Sequence, residues 1–187
     1  MRAIVTLPGI YGSDADHWQS VWEAADPRLS RFQPGSWDLP DLADWIEALN
    51  RAVQGAATPP ILVAHSLACL LVAHWASRRH SPIAGAFLVS VPDPEGPNFP
   101  SDAASFAAVP TDPLPFPSLV VASTDDPYGS LDYMRSRAIA WGSGLVVAGA
   151  FGHISSSSGL GDWPQGRDLV AAFQAGLGAA GSDLRAA

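Results

Sequence analysis

The chain has one cysteine, Cys69. That excludes an internal disulfide and a thiolate metal cluster. Its place inside an apolar stretch points to a buried packing role rather than a catalytic thiol. No run of about 18 apolar residues occurs, so no transmembrane helix is expected. The apolar Ala3 to Leu7 run is too short for a signal peptide, and the cytoplasm is the expected compartment. Basic residues are scarce: ten Lys and Arg stand against eighteen Asp and Glu, a formal net charge of −8. Nucleic acid and anionic membrane surfaces both call for a basic footprint, so neither is an expected partner. No two histidines stand at metal-ligand spacing, so no metal is expected. There is no internal repeat and no domain linker.

What is present is globular. The 187 residues are 48% hydrophobic and 15% charged, enough for one sizeable core. A single domain over residues 1–177 is expected, with 178–187 as a small, polar tail that frays.

Apolar runs alternate with helical patterns along the chain. Arg2 to Leu7 reads as a strand, broken by Pro8 and Gly9. Asp16, with Gln19 three residues on, forms a capping-box pattern. Trp18, Val21 and Trp22 then share one helical face. A weak strand follows at Arg31 to Pro34. A helix opens at Pro40 and Asp41, with Leu42, Trp45, Ile46, Leu49 and Val53 on one stripe. Ile61 to Val63 is a strand, and the helix after it ends near Arg79 and His80. Ile83 to Val89 is another strand.

Between Pro92 and Pro117 stand eight prolines, which argue against regular structure beyond one turn around Ala103 to Ala107. This segment is either a rim over a pocket or an ordinary surface connection. Leu119 to Ser123 (strand), Leu131 to Trp141 (helix), Leu145 to Val147 (strand) and a last helix from Pro164 complete the chain. Leu169, Phe173 and Leu177 form that helix's inner face. Continuous apolar strands alternating with helices predict an α/β fold, a three-layer α/β/α sandwich around a mostly parallel sheet. Right-handed crossovers put the strands' C-terminal ends on one edge.

The chain is organised around Ala64-His65-Ser66-Leu67-Ala68. A strand leads in, a helix leads out, and small residues stand two places either side of a serine. This is the nucleophile-elbow pattern, with Ala at both positions usually held by Gly. The plainer alternative is a helix that begins at a Ser N-cap.

A serine hydroxyl needs a base, and the base needs a carboxylate to orient it. His153 and Asp126 both fall just after strand ends, in the order Ser, Asp, His. Asp125 is the rival carboxylate, and Asp126 is favoured because Pro127 fixes the chain beside it. Backbone N–H groups of Leu67 and Ile10 are the candidate oxyanion donors, because Gly9 lets the chain turn close to the site. His17 either lines the pocket or caps a helix, and Tyr11 is a second candidate for the lining. His65 points away from the serine if the turn is tight. His74 and His80 read as surface or helix-end residues. Trp18, Phe99, Phe106 and Trp163 hint at an apolar acyl or aromatic pocket, although Trp18 reads better as core.

Five stretches together resemble one family. They are Leu7-Pro8-Gly9 with Asp16-His17-Trp18-Gln19, the Ala64 to Ala68 elbow, Leu88 to Pro92, Ser123 to Tyr128, and Gly152 to Gly159 with Trp163 to Gly166. The chain resembles the small serine hydrolases that include retinoblastoma-binding protein 9, within the α/β-hydrolase superfamily. The resemblance implies a compact fold with a minimal lid, no cofactor, and a triad at Ser66, Asp126 and His153. The expected activity is that of a carboxylesterase on a small-molecule substrate with an acyl group. An amidase or peptidase would share the triad, and a non-catalytic binding protein could share the fold.

Overall fold

The computed structural model describes residues 2–78 and 81–183, and side chains as far as residue 177. Six strands, β1 (Ile4–Leu7), β2 (Leu29–Arg31), β3 (Ile61–His65), β4 (Gly85–Val89), β5 (Ser118–Ser123) and β6 (Gly144–Gly149), form one sheet. Its order is β2-β1-β3-β4-β5-β6, and every neighbouring pair is parallel. The helices are α1 (Trp18–Ala25), α2 (Leu42–Gln54), α3 (Leu67–Ala76), α4 (Leu131–Trp141) and α5 (Pro164–Asp183).

Strand side chains alternate between two cores, as the period of two requires. Val5, Leu7, Leu62, Ala64, Ala86, Leu88, Val120 and Ala122 pack with α2, α3 and α4. Ile4, Ile61, Val63, Phe87, Val89 and Val121 pack with Trp18 and Trp22 of α1 and Val170 of α5. The result is three layers, with both sheet faces covered. That explains why the central strands are apolar throughout: β1, β3 and β4 are buried at every position.

The strand order reverses direction at β1 and β3. The chain leaves β1 toward one edge, and from β3 onward it runs to the other. The crossovers lie on opposite faces accordingly, α1 on one and α2, α3 and α4 on the other, which keeps their hand constant. A crevice opens at this switch point, beyond the C-terminal ends of β1 and β3.

Several element ends differ from the sequence reading. β2 lies at Leu29–Arg31 rather than 31–34, because Ile4, Val5 and Thr6 set its register. β4 begins at Gly85 rather than Ile83, and β6 extends to Gly144–Gly149. α3 stops at Ala76; the end expected near Arg79 and His80 lies outside the described residues, as does His80 itself. The helical backbone of α5 runs through Asp183; the rest of the tail expected at 178–187 lies outside the described residues. Asp16 does not cap α1. His17 does, its Nδ1 accepting from the Gln19 amide at 3.2 Å. Gln19 instead turns inward, and its amide group donates to the Val63 carbonyl and accepts from Ser13.

In the proline-rich segment the regular structure is a 3-10 stretch at Ser101–Phe106. The segment serves as the β4–β5 crossover, pinned by Trp141 Nε1 donating to the Pro110 carbonyl and by Leu114 N donating to the Trp141 carbonyl.

Candidate active site

Ser66 follows β3 directly and has φ 56°, ψ −127°, a conformation that costs an L-residue about 1–3 kcal/mol. Its side chain makes no capping bond to α3, which disposes of the plain N-cap reading. Its own amide donates to the Val89 carbonyl at 2.9 Å. Flanking Ala64 and Ala68 are fully buried. Gly9, two residues past β1, lies directly against the turn: a β-carbon there would stand 2.8 Å from Ser66 Cβ.

Ser66 Oγ is 2.8 Å from His153 Nε2. On the far side of the ring, His153 Nδ1 lies 2.9 and 3.0 Å from the two Asp126 carboxylate oxygens. A carboxylate only accepts, so Nδ1 carries the hydrogen and Nε2 presents its lone pair to the serine hydroxyl. The Asp126 side chain is wholly buried, and one oxygen also accepts from the Tyr128 amide. The rival, Asp125, turns elsewhere. It accepts from Ser123 Oγ and the Gly152 amide, and so ties the end of β5 to the loop carrying His153. Those bonds hold its carboxyl below the usual carboxylate range.

The cleft over Ser66 has a volume of about 480 Å³, within the range of small-molecule sites. Ile10, Tyr11, His17, Leu67 and His153 all line it. Leu67 is the first residue of α3, where amides lack intrahelical acceptors. Ile10 sits in a tight loop in which the Tyr11 amide donates to the Trp37 carbonyl and the Gly12 amide to Gly9. Among the described residues, no group of three or more His, Cys, Asp or Glu could hold a metal ion. None of their helices is long and apolar enough to cross a membrane.

The sequence model of the serine hydrolase family matches residues 4–172. A YdeN-like hydrolase of Pectobacterium atrosepticum is 34% identical, over 94% of this chain and 91% of its own, with a TM-score of 0.84. The chain belongs to the serine hydrolase family. The ydeN gene product of B. subtilis is 20% identical over 94% of this chain and 100% of its own, with a TM-score of 0.77. A thermophilic esterase of Thermogutta terrifontis is 15% identical over 94% and 90%, with a TM-score of 0.68. These last two share the α/β-hydrolase fold. No curated protein matches the chain.

The histidines of this serine hydrolase depart most from the sequence reading. His65 does not simply turn away. It is buried, lines the cleft, and its Nε2–H donates to the His153 backbone carbonyl at 2.9 Å. Its ring is 4.9 Å from that of His153 and 4.7 Å from that of His17. His17 both caps α1 and lines the cleft. Burial pushes it down to about 4 and takes His65 well below the ordinary imidazole value, so both are neutral at pH 7. His74, expected at the surface or a helix end, stands in the last turn of α3 but is buried, and donates from Nε2 to the Phe106 carbonyl. No local pattern marks such a residue, because its acceptor lies in the β4–β5 crossover.

Of the four aromatics offered for the pocket, Phe99 alone lines the cleft. Trp18, Trp163 and Phe106 are buried core. Trp18 still serves the site from below: it packs on Trp22 and Trp163, and its Nε1 donates to the carbonyl of Ile154, next to His153. Tyr128 was not singled out from sequence. Its ring stands 4.4 Å from that of His153 and lines the cleft mouth. Burial pushes the Cys69 thiol up, in keeping with a packing role.

Proposed function

We propose that this serine hydrolase is a carboxylesterase acting on small esters through an acyl-enzyme, with Ser66 as nucleophile, His153 as base and Asp126 as its orienting carboxylate. The observation that carries this is the continuous hydrogen-bonded line from Ser66 through His153 to Asp126, on a strained elbow open to a cleft. Ser66 Oγ attacks the acyl carbon as His153 Nε2 takes its proton. The oxyanion faces the N–H groups of Leu67 and Ile10; losing one such donor typically costs about 10²–10³ in rate. The imidazolium, paired with Asp126, returns the proton to the departing alkoxide, and the alcohol leaves an acyl-serine. Water then attacks that ester, giving up its proton through His153. The carboxylic acid departs and Ser66 is restored.

The likeness of its motifs to the small hydrolases grouped with retinoblastoma-binding protein 9 supports this reading, with small molecules in the cytoplasm as the proposed substrates. The cleft volume suits a small substrate, and the esterase among the fold neighbours supports an ester. Labelling with a fluorophosphonate tests the nucleophile. Wild type should label strongly, Ser66→Ala not at all and His153→Ala only slowly. A folded wild type that stays unlabelled would overturn the reading. A panel of matched esters and anilides then separates esterase from amidase: turnover of the anilide at rates equal to the ester would favour the amidase.

A further inference from the structure

The electrostatic make-up of the cleft deepens the hydrolase reading and rests on it. Among the described residues lining the cleft, Asp14 is the only Asp, Glu, Lys or Arg. The rest of the lining is apolar, as at Ile10, Leu67, Pro92 and Phe99, carries hydroxyls, as at Ser155 and Ser157, or is histidine, at His17, His65 and His153. Asp14 is fixed where it stands. One carboxylate oxygen accepts from the Ser156 hydroxyl at 2.7 Å, and the other from the Asp16 amide at 3.1 Å. The Ser156 bond holds its carboxyl below the usual carboxylate range, so it is ionised throughout the neutral range.

Among the described residues of the lining, no Lys or Arg cancels that charge. His17, which follows Asp14 in the loop and on the cleft wall, is neutral because it is buried, and so is His65. Arg31 reaches the loop through the Ser13 carbonyl, but it is ion-paired with Glu23 at 2.9 Å and does not line the cleft. The net charge of −8 adds a field of the same sign.

We propose that the cleft selects substrates by charge: Asp14 favours esters that carry a cationic group, a quaternary ammonium or a protonated amine, over neutral ones. Esters bearing carboxylate or phosphate are turned away. A unit charge pair a few ångströms apart in a wet cleft gives a preference of about three- to tenfold, weakened by salt.

The test uses fluorophosphonates identical except at the end of one arm, which carries trimethylammonium, its neutral tert-butyl isostere or a carboxylate. Two sets place that arm on the alkoxy or the alkyl side. Second-order labelling rates at Ser66 are compared at low salt. In at least one set the cationic probe should outpace the neutral one by about three- to tenfold, and the neutral one should outpace the anionic by a similar factor. The cationic-to-neutral ratio should fall to about one in Asp14→Asn, persist in Asp14→Glu, and shrink at high salt. Equal rates for all three ends in both sets would overturn the proposal. So would a ratio that Asp14→Asn leaves unchanged, since the preference would then come from the protein's overall charge. If no probe labels the folded protein, the hydrolase reading itself fails, and the charge proposal with it.

Discussion

Gly9→Ala should separate the site's geometry from the fold's stability. The added β-carbon would lie 2.8 Å from Ser66 Cβ, 3.1 Å from the His65 carbonyl oxygen and 3.3 Å from the Leu67 amide nitrogen. Carbon atoms in ordinary contact stand about 3.5–4.0 Å apart, so the loop after β1 and the elbow must part by about 0.7 Å or more. Two of the three neighbours are backbone and cannot rotate away. Overpacking of this kind costs about 1–3 kcal/mol, which lowers the melting temperature by roughly 3–10 °C for a chain of this size. The same displacement separates the two proposed oxyanion donors, and a misplacement near 1 Å costs about 10² in rate. The expected result is a cooperative thermal unfolding transition with a modest drop in midpoint. At a temperature well below that midpoint, the fluorophosphonate labelling rate should fall about a hundredfold. Labelling within about twofold of wild type would refute the argument that close approach of the loop after β1 to the elbow shapes the site.

Three further outcomes follow from the contacts. His65→Leu should lower kcat about tenfold with little change in KM, because the buried His153 carbonyl loses its donor. His65→Gln, which restores an N–H at similar reach, should recover most of the loss; equal defects in the two variants would exclude the bond as the cause. Asp126→Asn should reduce kcat by about 10³–10⁴, whereas Asp125→Asn, which loosens the tie from Ser123 to Gly152, should cost about tenfold. The reverse order would show the wrong carboxylate assigned.

The third outcome concerns pH. His17 titrates near 4 in the fold and near 6.5 when unfolded. Between those values the unfolded chain binds the extra proton, so stability falls as pH drops from about 6.5 to 4, by about 3 kcal/mol from this residue. His65 acts in the same direction. Urea titrations across that window should show the slope, and His17→Asn should flatten it; an unchanged slope in that variant would remove His17 as its source.

Much of this protein could be read from residue order alone. The α/β class followed from apolar runs alternating with helical stripes, because a strand buried on both faces leaves no room for polar residues. The line from Ser66 to His153 was legible because parallel crossovers bring successive strand ends to one edge. Asp126 was favoured over Asp125 on the strength of the adjoining Pro127; the geometry adds the reason, since one carboxylate faces the imidazole and the other the backbone of the next loop.

Local chemistry and periodicity thus encode the class of fold, the elbow and the likeness to serine hydrolases. Tertiary contacts settle which histidines are buried, that Trp163 joins Trp18 in the core beneath the site, and that Asp14 stands on the cleft wall. These depend on partners far apart in the chain, such as Ile154 for Trp18 and Ser156 for Asp14. A hydrogen bond, a buried ring or an unpaired charge is a property of a place, and the place exists only once the sheet has brought those segments together.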